Sequence, residues 1–99
     1  MNKKRKGSDP NNLLYKAFLT LKDADESYRF LADLCADVEL GSIEQRFEVA
    51  RLLRSGLSYN DILARTGASS ATISRVNRSL TSGTGAYEMV FSRLEEDSE

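Results

Sequence analysis

Histidine is absent from this 99-residue chain, and cysteine and proline each occur once. Without histidine, no zinc-type ligand cluster can be drawn and the commonest general base is missing. The lone Cys35 excludes an internal disulfide. Free cysteine packs as a small apolar residue, so Cys35 is expected as core filler. No run approaches the roughly 18 apolar residues of a membrane span. The opening MNKKRKGSDPNN lacks the apolar segment that follows the basic start of a secretory signal. The chain therefore reads as cytoplasmic, with no membrane partner. A glycine-rich phosphate loop after a strand is missing, as is a carboxylate pair with an evident pocket. Neither an enzyme nor a metal or cofactor is expected.

What is present is 40% hydrophobic and 29% charged, the balance of a folded, helix-rich protein. A chain this short forms one domain that buries only about two-thirds of its unfolded surface, so a second copy would help. The net charge of -1 conceals a division along the chain. Residues 1–6 carry +4, residues 7–45 carry -5, residues 46–80 carry +4 with six arginines, and residues 81–99 carry -4. An acidic scaffold beside basic segments suits a nucleic-acid binder, because the local field attracts phosphate and total charge does not.

Residues 1–11 read as a flexible basic arm, whose Lys3 to Lys6 could follow phosphates or serve solubility alone. Order is expected from residue 12 to 95. Leu13, Leu14, Ala17, Phe18 and Leu21 have helical spacing behind an Asn12 cap. A second helix, capped by Asp23, extends toward Leu40 with Tyr28, Leu31, Leu34, Cys35 and Val38 as its buried stripe and Gly41 as its stop. A third opens on Ser42 with Gln45 in the capping-box pattern and closes at Gly56, with Ile43, Phe47, Ala50 and Leu53 or Leu57 along one side. Its arginines lie off that stripe, free for solvent or phosphate. After TSGTG, residues Tyr87, Val90, Phe91 and Leu94 mark a last amphipathic helix. EEDSE is too acidic to pack, and residues 96–99 read as a tail. The chain is thus all-α, with five or six helices. The aromatic stripes (Tyr15, Phe18, Tyr28, Phe30, Tyr87, Phe91) would be satisfied by wrapping around a second chain.

The stretch GLSYNDILARTGASSATISRVNRSL contains two short helices and a sharp corner. Ser58 can cap the first against Asp61, and Leu57 with Ile62 matches the hydrophobic staple. Gly67 is the natural left-handed exit, and Ser69 can cap a helix from Ser70 to about Leu80. Ile73 and Val76 would point back onto Ile62 and Leu63, while Ser70, Ala71, Ser74, Arg75 and Arg78 face away. This is the form of a helix-turn-helix, placed at 58–80, whose second helix enters the DNA major groove. Many such motifs keep a small residue four before the glycine, where Leu63 stands here. Small residues let the second helix approach the groove closely, and free amides at its start attract phosphate. The expected DNA-binding set is Ser69, Ser70, Ala71, Thr72, Ser74, Arg75 and Arg78, with Asn60 on the first helix and Arg54 before it. Few of these make bidentate base contacts, so much of the readout should pass through water or DNA shape.

Residues from about Leu13 to Leu94 resemble the Trp repressor superfamily, specifically its YerC/YecD branch of small DNA-binding regulators. The marks are RLLRSGLSYNDILARTGASSATISRVNRSL, above all LLR before a serine-capped helix, then TGAS, ATISR and the closing SL. The resemblance implies an intertwined helical homodimer, double-stranded DNA as partner, and bacterial transcriptional regulation of the repressor type. It does not carry over tryptophan as co-repressor. In the repressor proper, the indole lies between two arginines and beside a glycine after TITR. Here Arg75 matches one arginine, Gln45 replaces the other, and Val76 fills the glycine position; any other small-molecule effector is open. Two further readings are a protein-interaction or dimerisation module that does not bind DNA, and a DNA-targeting subunit of a larger assembly.

Overall fold

The computed structural model describes residues 8–97, which contain six helices and no strand. They are α1 (Leu13–Phe18), α2 (Ala24–Leu34), α3 (Asp37–Arg54), α4 (Tyr59–Thr66), α5 (Ser70–Ser82) and α6 (Ala86–Asp97). The described residues divide into two compact units, 8–41 and 42–97. The basic positions Lys3 to Lys6 lie outside the described residues, whereas residues 9–12 form a turn in which the Asn12 amide donates to the Asp9 carbonyl.

In the first unit, local caps account for the helix starts. The Asn12 side chain accepts from the Leu14 amide, and Asp23 accepts from the Glu26 amide at 2.9 Å. Glu26 reaches back to accept from the Lys22 amide, also at 2.9 Å. Asp25 and Glu26 occupy the first turn of α2, where the helix dipole favours anions. The expectation of one helix from residue 23 to 40, stopped by Gly41, is corrected. Cys35 is extended (φ -106°, ψ 147°), and a new helix starts at Asp37 and runs through Gly41. The Glu39 carboxylate accepts from the Ala36 amide at 2.7 Å, satisfying a donor at the new start. A glycine costs only about 0.5–1 kcal/mol inside a helix, too little to end one of 18 residues. Ser42 is likewise no cap; inside α3 its hydroxyl accepts from Arg46 at 3.1 Å.

None of residues 8–41 is buried. Phe18 and Phe30 meet edge to face with centroids 5.4 Å apart. The stripe expected to be buried is open: Tyr28 is 59% exposed, Leu34 51% and Val38 84%. Cys35 is a partly buried free thiol rather than core filler.

The second unit contains the core: Val49, Ala50, Leu52, Ile62, Ala68, Ile73, Val76 and Phe91, with Leu53, Leu57, Leu80 and Tyr87 packed around it. The buried side of α3 only partly follows the expected stripe. Ala50 goes inward and Leu53 and Leu57 pack against the core as expected, Val49 and Leu52 join them, and Ile43 and Phe47 stay more than one-third exposed. Phe47 instead stacks on Phe91 at 5.0 Å and lies 6.5 Å from Tyr87, so α3 serves α6 with one side and the helix pair α4–α5 with another. α3 ends as expected. Gly56 has φ +93°, its amide donates to the Leu53 carbonyl, and the Leu57 amide donates to the Leu52 carbonyl, the paired bonds of a Schellman motif.

Candidate nucleic-acid interface

The corner forms for the local reasons its residues suggest. The Ser58 hydroxyl accepts from the Asp61 amide at 3.2 Å and opens α4. Gly67 leaves α4 in the left-handed conformation, φ 72° and ψ 5°, with its amide donating to the Leu63 carbonyl. A side chain at such a φ costs roughly 1–2 kcal/mol. Ser69 is extended, and its Oγ accepts from the Thr72 amide at 3.1 Å to start α5. Ser69 also lies 3.1 Å from the Thr72 hydroxyl, so the two side chains form one polar group at the tip of the helix. Beneath the turn, Thr66 Oγ1 donates to the Ile62 carbonyl at 2.7 Å and accepts from the Ala68 amide at 3.1 Å.

Packing then gives α5 two sides. Ile73 (0% exposed) and Val76 (2%) lock it into the core with Ile62. Ser70, Ala71, Ser74, Arg75 and Arg78 are exposed, and Thr72 is partly buried. Seven of the nine expected site residues, Ser69, Ser70, Ala71, Thr72, Ser74, Arg75 and Arg78, therefore belong to α5 or its cap. Asn60 is exposed in the first turn of α4. Of the two residues expected under α5, Ile62 is fully buried there and Leu63 is 46% exposed.

Arg54 does not join this group, and the expectation that the α3 arginines are free is corrected. Arg54 Nε and Nη2 both donate to Glu88 at 2.8 Å, and Nη1 donates to Glu95 at 2.7 Å. Its guanidinium carbon lies 5.4 Å from the centre of the Phe91 ring. The bond from Arg54, helped by one from Ser92, pulls the Glu88 carboxyl down to about 2; Arg54 also lowers that of Glu95. Arg51 is similarly engaged, donating to Glu48 at 2.9 and 2.6 Å. Glu95, read as part of an acidic run that could not pack, thus fastens α6 to α3. By contrast, Arg75 and Arg78 form no ion pair among the described residues. Of the positive charge that remains available on the corner, Arg75 and Arg78 lie beside the small residues of α5, and Arg65 is exposed in the last turn of α4.

Three residues that shape the corner were not singled out for it: Gln45, Thr66 and Ala68. Gln45 Nε2 donates to the Thr66 carbonyl at 3.1 Å across 21 residues, a pairing without any local signal. Thr66 and Ala68 flank Gly67, and their hydroxyl and small size are compatible with a tight turn, which is a signal of sorts.

The family model of the Trp repressor protein matches residues 11–95. YerC of Bacillus subtilis (strain 168), an uncharacterized protein, is 53% identical over 83 residues, which cover 84% of this chain and 80% of YerC. The crystal structure of a TrpR-like protein from Eubacterium eligens superposes with a TM-score of 0.83 at 50% identity, covering 90% of this chain and 92% of its own. A second crystal structure, of a Staphylococcus aureus chain, gives a TM-score of 0.81 at 44% identity over 85% of this chain and 84% of its own.

Proposed function

The chain belongs to the Trp repressor family, and from that premise we propose that it is a transcriptional regulator that reads double-stranded DNA sequence-specifically as a homodimer. The observation that carries this reading is the two-sided α5. Its apolar residues are spent on the core, while Ser70, Ala71, Ser74, Arg75 and Arg78 are exposed, and neither arginine forms an ion pair among the described residues. In this reading α5 lies in the major groove, the α5 amides and the Ser69–Thr72 hydroxyls meet phosphate, and Arg75 and Arg78 reach base edges or backbone. Asn60 at the start of α4 contacts the flanking backbone, while Arg54, held by two glutamates, takes no part. The second copy covers the apolar residues that 8–41 leaves open, and its α5 supplies the other half-site. Tryptophan is not the co-repressor in this reading: Val76, which stands where the resemblance puts a glycine beside the indole, is 2% exposed, and Gln45 spends its amide on Thr66.

The test is sedimentation with a pool of random duplexes at two salt concentrations, followed by sequencing of the retained DNA. A two-fold-symmetric site with half-sites roughly 34–36 Å apart is expected, as is an affinity that falls with salt at a log-log slope of about -0.9 per phosphate contact. Arg75→Ala should weaken binding to that site by about 1–3 kcal/mol and relax preference at one position. Retention of no duplex at low salt would leave a protein-interaction module instead.

A further inference from the structure

Two polar fasteners join elements that are distant in sequence within residues 42–97. One is Arg54 with Glu88 and Glu95; the other is the bond from Gln45 on α3 to the carbonyl of Thr66, the last residue of α4. The last four carbonyls of any helix lack an intrahelical partner. In α4, the Leu63 carbonyl is taken by the Gly67 amide, and the Thr66 carbonyl is taken by Gln45. Thr66 is therefore held at three points: its carbonyl accepts from Gln45, its hydroxyl donates to Ile62, and the same hydroxyl accepts from Ala68. The next residue is Gly67, where the backbone turns left-handed and the direction of α5 is set. Ala68, two residues on, is 2% exposed. A side chain from α3 thus pins the vertex from which the second helix departs, and Ile73 and Val76 seat that helix in the core.

We propose that Gln45 is a positioning residue that presets the angle of α5, so that the helix-turn-helix is ready for DNA with no small molecule in place. The proposal rests on the reading that α5 contacts DNA. A fastener of this kind acts on the fraction of molecules in the binding-competent arrangement, and apparent affinity scales with that fraction.

The full chain is refolded from denaturant to strip any bound small molecule, and its affinity for the selected duplex is measured beside Gln45→Glu and Gln45→Lys. Gln45→Glu keeps length and shape but replaces the donor with a carboxylate that the negative end of α4 repels; Gln45→Lys restores a donor there. Stripped wild type should bind fully. Gln45→Glu should bind about three- to tenfold more weakly, the ratio that one hydrogen bond of ordinary net strength supports, with an unchanged salt slope because no phosphate contact is lost. Amide exchange at Gly67 and Ala68 should quicken by a similar factor, and Gln45→Lys should recover most of both. The proposal is overturned if Gln45→Glu matches wild type in binding and exchange, if Gln45→Lys is as weak as Gln45→Glu, or if the stripped protein binds only after a small molecule is returned. If wild type retains no duplex under any condition, the DNA reading falls first, and the exchange rates still decide whether Gln45 holds the corner.

Discussion

Residues 8–41 and 42–97 use apolar side chains at similar spacing and come to opposite ends. The second unit buries eight of them, and the first buries none. Local signals are not the difference, since α2 is as well capped as α4 or α5. What differs is a third partner. Each helix of the second unit has α3 or its neighbour to pack against, whereas in the first unit Phe18 and Phe30 meet edge to face and the apolar side chains are at most partly buried. A well-formed amphipathic helix with nowhere to bury its face is a request for another surface, and helix formation by itself does not supply the burial that stabilises a fold.

The comparison can be sharpened most strongly at Ile73, which is fully buried. Ile73→Ala should cost about 2–5 kcal/mol in urea unfolding; a loss well under 1 kcal/mol would mean that the second unit is no better packed than the first. The next largest effect belongs to Leu34, 51% exposed in the chain alone. If a second copy covers it, Leu34→Asp should weaken self-association by roughly 3 kcal/mol, about 1.5 from each of two symmetric sites. An unchanged mass in sedimentation equilibrium would leave that face in water. Gly67→Val should cost about 1–2 kcal/mol, because the strain is in the backbone and nothing lies within 4 Å of the added Cβ. That corresponds to a melting temperature lower by roughly 4–8 °C per kcal/mol, and an unaltered melt would refute the corner's left-handed exit.

The smallest effect is acidic. Glu88 has its carboxyl lowered from 4.5 to about 2, so its bond to Arg54 contributes fully above about 4.5 and is lost as pH falls toward about 2. Melting temperature should decline through that window, and Glu88→Gln should flatten that part of the decline. An identical pH profile in the variant would show that the α3–α6 fastening adds nothing to stability in solution.

The corner was readable in the sequence because each of its instructions acts over four residues or fewer: Ser58 on Asp61, Gly67 on its own φ, Ser69 on Thr72. The five outward residues of α5 follow from it, since burial of Ile73 and Val76 decides which positions remain outside. The break at Cys35 was not readable. It has no glycine or proline, and the glycine six residues later is absorbed into α3. The inward side of α3 was legible at Ala50, Leu53 and Leu57, whereas the burial of Val49 and Leu52 depends on where α4, α5 and α6 pack. The pairings of Arg54 and Gln45 were unreadable for the same reason. Their partners lie 34, 41 and 21 residues away, and no local pattern encodes such pairings. Helical spacing alone indicated an all-α chain of five or six helices; family resemblance supplied the Trp repressor-like fold, which the solved structures bear out.

On α5, the side chains that hold the helix and those that face outward are different residues. Substitution at Ser70, Ala71, Ser74, Arg75 or Arg78 should therefore leave folding within about 0.5 kcal/mol of the parent. A surface freed from structural duty can be rewritten without endangering its support. If α5 reads DNA, duplicated copies of such a gene can diverge in the sites they address while inheriting one scaffold unchanged, and a combinatorial library confined to these five positions would explore new targets with few members lost to misfolding.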